Sequence, residues 1–177
     1  MIVPAKDLRL LNVVKNTQQK DEIFDYFDLI KVNKDSSLEA FNNQMLLRTP
    51  PKTSPQIEAP FFIRLEKNIP AFAEQANFDF SKWLKSGFVC YMKGVKNQTE
   101  IFHLIPVDEV QYPQTQDIID SIKTLPEHLI SIAKFPYKIL AELEKANQAP
   151  FYITFLVQNV ISVDLGEGYH CFIQLQL

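Results

Sequence analysis

The chain has 177 residues, 46% of them hydrophobic, so it is long enough to bury one core and lies within the usual size of a single domain. Its formal net charge of −3 argues against a nucleic-acid partner, because an electrostatic nucleic-acid binder carries a basic excess. With only 4 glycines and no phosphate-binding fingerprint, the sequence also argues against a glycine-rich nucleotide loop.

Neither a membrane span nor a secretory signal is predicted. No uncharged apolar run approaches the ~18–20 residues that cross a bilayer, and the start of the chain carries Pro4 and several charges instead of an apolar signal core. We therefore expect a soluble, cytoplasmic protein without a membrane partner. Cys90 and Cys171 lie in apolar runs, and we expect free thiols because disulfides are rare in that compartment.

The first 48 residues are predicted to form a helical layer. Apolar side chains recur at helical spacing in its first part, and Thr17 is a suitable cap for a second helix. Ser36 and Glu39 match a capping box for a third helix. The three predicted helices cover residues 5–16, 17–31 and 36–47.

The second predicted helix carries an acidic face. Asp21, Asp25 and Asp28 follow the spacing i, i+4 and i+7, so a helix would align their carboxylates, with Glu22 and Tyr26 close by. Such a face suits a basic protein partner, since complementary charge speeds encounter and fixes orientation. These five residues are the predicted partner-binding site.

A proline-rich segment separates this layer from the rest of the chain. Residues 49–60 carry four prolines and are expected to be a linker or an extended surface loop, because proline fits neither a helix interior nor a central strand. Residues 1–48 are too few for a comfortable independent core. We therefore expect one domain over residues 1–177, with the helical layer docked onto 61–177.

The middle of the chain is predicted to contain both strands and helices. Residues 61–66 suit a strand, a weak helix is expected to begin at Pro70, and residues 88–107 suit a hairpin. Residues 115–147 have a helical apolar pattern that Pro126 and Pro136 interrupt, which predicts a helical pair. This order predicts an α+β fold with a mainly antiparallel sheet built from two hairpins, about 88–107 and 151–177.

The second hairpin, residues 151–177, has a specific predicted register. Gly166-Glu167-Gly168 suits a type I turn with a glycine bulge. In this register residues 151–156 have no partner in the second strand of the hairpin, and they are expected to pair with 101–107 or 61–65. A turn at Gln158-Asn159, which makes a meander, is the competing geometry. The predicted pairs include Asp164 with His170, Val163 with Cys171, Ser162 with Phe172, Ile161 with Ile173 and Val160 with Gln174.

Polar groups gather at the tip of that hairpin. Asp164, Glu167 and His170 surround the turn, and a carboxylate beside an imidazole is able to orient it as a base. A metal site needs three or four converging ligands, so we expect neither a metal nor a cofactor. These three residues are retained as a possible polar site.

Three functional hypotheses follow from these patterns. The leading one is a non-enzymatic protein-binding protein, of the immunity or antitoxin type, that masks a basic partner through its acidic surface. One alternative is a hydrolase or nuclease-like enzyme whose site lies near the hairpin tip. The other is a structural subunit of a larger complex, marked by an exposed apolar patch near Phe172 or by the open edge of residues 151–156. The sequence leaves the oligomeric state open.

Overall fold

The computed structural model describes most of the chain, and all structural statements below concern that part. It contains three helices, α1 (Ala5–Asn16), α2 (Thr115–Lys123) and α3 (Tyr137–Asn147). The described residues are 1–17, 26–53, 57–64, 75–79, 89–94, 99–106, 110–124, 126, 135–156 and 159–175.

The described strands form one sheet. All the strand pairs in it are antiparallel, in the order β1-β6-β7-β8-β5-β2-β3-β4-β11-β10-β9. The predicted α+β class with a mainly antiparallel sheet is therefore confirmed. The strands are β1 (Ile2–Pro4), β2 (Leu29–Val32), β3 (Leu38–Phe41), β4 (Met45–Arg48), β5 (Phe61–Arg64), β6 (Gln75–Asp79), β7 (Val89–Gly94), β8 (Thr99–Pro106), β9 (Tyr152–Leu156), β10 (Val160–Asp164) and β11 (His170–Gln174).

One face of the sheet packs against α1 and α3, and we call it the paired-helix face. Alternating strand residues such as Leu38, Ala40, Met45 and Leu47 point there and share a buried core with the helices. Leu143 of α3 is fully buried in the same core. Burial of each such aliphatic side chain contributes about 1.5–3 kcal/mol, so this core is the main source of stability.

The other face of the sheet packs against α2, and we call it the α2 face. Ile119 of α2 lies in a second apolar cluster with Leu46, Leu156, Val160 and Phe172, which come from four adjacent strands. The alternation along β4 explains the two faces, because Leu46 points away from its neighbours Met45 and Leu47. The end of the sheet formed by β4, β11, β10 and β9 is thus covered on both sides.

The first predicted helix is confirmed, but the other two predictions for the N-terminal part are wrong. α1 covers the predicted residues 5–16. Residues 26–28 form a turn and 29–32 form β2, so no helix runs through residue 31, and residues 18–25 lie outside the described part. Residues 36–47 form the β3–β4 hairpin instead of a helix. Residues 1–48 are consequently not a helical layer.

The turn residues around β3 explain why the capping-box pattern wrongly predicted a helix over residues 36–47. Ser36 and Asn43 both adopt left-handed backbone conformations, with φ of 60° and 63°. The Asn42 Oδ1 accepts hydrogen bonds from the backbone N–H groups of Gln44 and Met45, at 3.2 and 2.7 Å. Such side-chain-to-backbone bonds close a turn between strands and compete directly with helix formation.

The described parts of the proline-rich segment pack against the body. The Thr49 N–H donates to the Leu38 carbonyl oxygen at 2.9 Å, and the Lys52 N–H donates to the Asp35 carbonyl oxygen at 3.1 Å. The Lys52 ammonium also lies 2.7 Å from the buried carboxylate of Asp7 in α1. Residues 49–53 are therefore an ordered surface segment; residues 54–56 lie outside the described part.

The strands of the middle region differ in part from the predictions. β7 and β8 pair with each other in the region of the predicted hairpin, and β8 also pairs with β5. β6 pairs with β1, a strand that the sequence patterns did not predict. Residues 75–79 form a strand where a weak helix was expected after Pro70, because β1 supplies a hydrogen-bonded neighbour that local pattern does not reveal.

The C-terminal strands form a meander. The predicted register of residues 160–164 against 170–174 is confirmed. The expected pairing of residues 151–156 with 101–107 or 61–65 is wrong, because β9 pairs with β10 and the chain reverses near Asn159, which has φ of 58°. The competing meander was the correct geometry.

The hairpin tip between β10 and β11 has the predicted length but a different turn type. Residues 166–168 all have positive φ, and the Tyr169 N–H donates to the Gly166 oxygen at 3.0 Å. Glu167 and Gly168 are thus the central residues of a type I′ turn instead of the type I turn expected. The right-handed twist of the flanking strands favours this turn type.

Both described helices of the 115–147 region begin within two residues after a proline, α2 after Pro113 and α3 after Pro136. α3 starts directly after Pro136, which confirms an interruption there, and residues 127–134 lie outside the described part. None of the described helices has the length and apolar character needed to cross a bilayer.

Candidate functional site

A small apolar pocket lies on the α2 face, between α2 and the sheet. Its volume is about 220 Å³. Ile118 and Ile122, one helical turn apart, form one wall, and Leu46, Val160 and Phe172 supply apolar surface from three strands. The helix leaves this space because its isoleucines do not fill the groove completely.

The rim of the pocket is polar but uncharged. Asn43, Gln44 and Gln174 border it, and the described lining contains no titratable side chain. The Gln174 N–H donates to the Gln44 oxygen at 2.8 Å, which fixes the β3–β4 turn against β11. A pocket of this composition suits one or two apolar side chains of a partner segment, with amides to bond its backbone.

A buried carboxylate holds the start of α2 beside this pocket. The side chain of Glu39 is fully buried on β3. Its Oε1 accepts hydrogen bonds from the hydroxyls of Tyr112 and Thr115, and its Oε2 accepts from the Arg48 guanidinium. Arg48 Nη1 also donates to Gln116 Oε1 at 2.7 Å. Every described oxygen of Glu39 is therefore satisfied, as a buried charge requires.

Aromatic rings continue from this carboxylate towards the pocket. Tyr112 lies 4.8 Å from Phe62 and 6.5 Å from Phe41 between ring centroids, and Tyr26 stacks on Phe41 at 5.8 Å. Burial, together with the negative charge of Glu39, raises the pKa of Tyr112 well above its ordinary range, so its hydroxyl stays protonated as a donor. The ring cluster and the pocket share Phe41.

A second buried carboxylate, that of Asp7, lies on the paired-helix face. The Tyr169 hydroxyl donates to Asp7 Oδ1 at 2.5 Å. Asp7 Oδ2 has no aligned donor, so its contact with Lys52 at 2.7 Å is an ion pair and not a directed hydrogen bond. These contacts join α1, the proline-rich segment and the turn before β11, and their role is structural.

A larger cavity of about 820 Å³ opens beside the ends of α1 and α3. Thr17, Phe135, Ile139 and Leu175 contribute to its lining, together with Tyr137, whose side chain is exposed. Several chain segments outside the described part, including 18–25 and 131–134, adjoin these residues in sequence. We therefore place the candidate site at the smaller pocket, whose walls are all described.

The predicted acidic face is only partly described. Asp21, Glu22 and Asp25 lie outside the described part. Tyr26 and Asp28 lie in the turn before β2, and the Asp28 carboxylate is 3.5 Å from the Lys15 ammonium. Asp28 is thus engaged within the chain, and binding of a basic partner through these residues stays a prediction.

The predicted polar tip is exposed to solvent. Asp164 and His170 are register partners, as predicted, and both are exposed, as is Glu167. The Asp164 Oδ1 accepts from the Gly166 N–H at 2.9 Å, and the Glu167 carboxylate lies 3.3 Å from the Lys6 ammonium. Asp164 and Glu167 therefore make structural contacts within the chain, and a catalytic role for the tip stays a prediction.

No cluster of metal-binding side chains occurs among the described residues. Cys171 is a buried free thiol on β11, and burial raises its pKa, which keeps it protonated. The sequence patterns placed Ile118 and Ile122 in a predicted helical region but gave no sign of the pocket, because they do not show which strands a helix crosses.

Comparison with known proteins identifies the fold. No family model matches the chain, and no curated protein matches it. The DNA polymerase III β subunit of Thermotoga maritima matches with a TM-score of 0.59 and 8% identity, over 98% of this chain and 63% of that one. A putative β subunit from Eubacterium rectale gives 0.58 and 11%, over 99% and 64%.

The β subunit of Pseudomonas aeruginosa DNA polymerase III is also similar, with a TM-score of 0.52 and 8% identity over 99% of this chain and 64% of that one. The chain thus spans slightly less than two thirds of the length of each of these structures. At such identities the likeness concerns fold alone. The chain has a fold similar to that of the matched part of these DNA polymerase III β subunits.

Proposed function

We propose that this chain is an accessory protein of a DNA polymerase, of the sliding-clamp kind, and that it binds its protein partner through the apolar pocket on the α2 face. The observation that carries the proposal is this pocket, with apolar walls and an uncharged rim, on a fold similar to polymerase β subunits.

The chemistry of the pocket supports binding instead of catalysis. Its described lining offers no acid, base or nucleophile, whereas Ile118 and Ile122 offer apolar surface to a partner side chain. Protein interfaces concentrate their binding free energy in such small, well-packed apolar sites. The net charge of −3 fits a protein partner better than direct electrostatic binding of DNA.

A primer-extension assay with the DNA polymerase of the source organism tests this proposal. We expect the chain to lengthen the products per binding event. Ile122→Arg places a charge inside the pocket and is expected to abolish the effect, because an unpaired charge is costly in an apolar site. Ser121→Arg is the matched control, since Ser121 is the exposed neighbour on the same helix.

Equal effects of the two arginine variants would contradict the role of the pocket. Absence of any effect of the wild-type chain on the polymerase would contradict the proposed function itself. The immunity or antitoxin hypothesis stays a prediction, since its acidic face lies largely outside the described part.

The second candidate is a structural subunit that assembles through its sheet edges. In the described sheet, β9 pairs only with β10 and β1 only with β6. The edge residues Tyr152 and Ile2 are 78% and 58% exposed. An open edge strand presents backbone donors and acceptors to another chain. Phe172, by contrast, is covered, so the patch expected there is not exposed.

Sedimentation velocity over a range of concentrations tests the assembly. Tyr152→Lys is expected to weaken self-association, because a charge on an edge strand disfavours strand addition. Tyr137→Lys is the control, since Tyr137 is 74% exposed but lies on α3. A monomer at all concentrations would contradict this second candidate.

A further inference from the structure

Residues 110–124 cross the α2 face of the sheet, and we call this segment the strap. It comprises α2 and the turn residues before it. Its isoleucines form one wall of the pocket, so any movement of the strap changes the pocket. How the strap is held therefore bears on the proposed binding site.

Side chains attach the strap to the sheet. Among the described residues, the backbone-to-backbone hydrogen bonds of the strap run to other strap residues, for example from Tyr112 to Val110 and from Thr124 to Ser121. A strand in the same position would share a ladder of backbone bonds with its neighbour. The strap is thus able to leave the sheet without breaking such a ladder.

The attachment is unequal at the two ends of the strap. At its start, Tyr112 and Thr115 donate to the buried Glu39 carboxylate, and the Lys31 ammonium lies 5.4 Å from the centre of the Tyr112 ring. Towards its end, the contacts with the sheet are apolar and incompletely packed, because the pocket lies there beside Ile118 and Ile122. Thr124 Oγ1 donates only within the strap, to the Ser121 oxygen.

We propose that the strap opens and closes the pocket, and that Glu39 is the positioning residue that holds it closed through Tyr112 and Thr115. Opening exposes the apolar surface of Leu46 and Phe172 that α2 otherwise covers. The inference rests on the proposed function for the role of the pocket as a binding site. The movement itself is independent of any partner.

Hydrogen–deuterium exchange of the chain alone, with mass-spectrometric readout, tests whether Glu39 holds the strap closed. Thr115→Val removes one donor to a buried charge, and we expect α2 amides to exchange about ten- to a hundred-fold faster. Amides of β10 are expected to keep their rates. Thr115→Ser retains the hydroxyl and is expected to preserve the wild-type rates in α2.

The matched control is Thr124→Val, which removes a hydroxyl of the same strap that has no contact with Glu39. We expect it to leave exchange in the first turn of α2 unchanged. Tyr112→Phe is a second, milder variant, because it removes the longer of the two hydroxyl contacts, at 3.3 Å. It is expected to accelerate exchange in α2 less than Thr115→Val does.

An equal rise of exchange in α2 and β10 in Thr115→Val would overturn the proposal, since it would show that Thr115 stabilises the whole fold. Unchanged exchange in α2 in both Thr115→Val and Tyr112→Phe would overturn it as well. These measurements use no partner. They can therefore fail while the primer-extension result stands, and the reverse is equally possible.

Discussion

Glu39 and Arg48 are direct neighbours across the β3–β4 hairpin, and the Glu39 Oε2 accepts hydrogen bonds from both Arg48 Nε and Nη2, at 2.8 and 2.6 Å. The Glu39 side chain is fully buried, whereas that of Arg48 is 26% exposed. A single arginine thus neutralises a charge that has no access to solvent.

Loss of Arg48 is expected to destabilise the fold strongly. Arg48→Met leaves the Glu39 carboxylate buried without its countercharge, which costs about 3 kcal/mol of the free energy of unfolding. Urea denaturation measures this change. Lys145→Met is the control, since it removes an ion pair with Glu142 that is exposed on both sides and therefore contributes little to stability. Similar losses in the two variants would contradict the prediction.

Stability is expected to fall at alkaline pH because of Cys171. Burial raises the pKa of this thiol, so the folded state keeps it neutral while the unfolded chain releases its proton near pH ~8.5. The contribution is complete below that pH. It is lost as pH rises towards the folded-state pKa, at up to about 1.4 kcal/mol per pH unit.

Cys171→Ala removes this pH dependence, and urea denaturation between pH 7 and pH 10 measures it. Val163→Ala is the control, because Val163 is buried opposite Cys171 and its truncation leaves the thiol in place. Both variants are expected to be less stable at pH 7, but only Val163→Ala retains the wild-type slope. An unchanged slope in Cys171→Ala would contradict the assignment.

Tyr169 and Asp7 are expected to be energetically coupled. The Tyr169 hydroxyl donates to a carboxylate that is fully buried, and a hydrogen bond to a charged group contributes about 1.5–3 kcal/mol. A double-mutant cycle with Tyr169→Phe and Asp7→Asn, measured by urea denaturation, is expected to give a coupling free energy above about 1 kcal/mol. Additive effects would show that the contact is energetically unimportant.

Glu167→Gly is expected to stabilise the chain. Glu167 has φ of 54° in the type I′ turn, a conformation that costs a residue with a side chain about 1–2 kcal/mol and costs glycine nothing. We expect a modest net gain, below about 1 kcal/mol, since glycine gains freedom in the unfolded state. Thermal denaturation measures it.

Glu167→Ala separates the backbone effect from the charge. It keeps the strained conformation and removes the ion pair with Lys6, which contributes little because the Glu167 side chain is 80% exposed. We expect this variant to be neutral or slightly less stable than the wild type. A stabilisation as large as that of Glu167→Gly would contradict the conformational explanation.

The β10–β11 hairpin could be predicted from sequence because its pairing is local. The turn residues between β10 and β11 and the alternation around Val163 and Cys171 define a register without any distant partner. α1 was predictable for the same reason. Its buried residues recur at helical spacing within one short segment.

The β3–β4 hairpin and the pocket could not be predicted, because both depend on distant residues. The apolar positions of residues 38–47 fit a helix as well as two short strands, and β2 and β11, which flank the hairpin in the sheet, decide between them. The pocket requires α2 to cross β4, β10 and β11, which no local pattern specifies. Glu39 was identified as a helix cap, although it is the buried partner of Arg48.

The pairing of β4 with β11 has a consequence for synthesis of the chain on the ribosome. β11 lies between β4 and β10 in the sheet, yet it is the last described strand to be translated. A nascent chain therefore exposes the edge of β4 until the residues of β11 have emerged. Contacts so distant in sequence slow folding, and a chain that stalls before residue 170 would present an aggregation-prone edge to its neighbours.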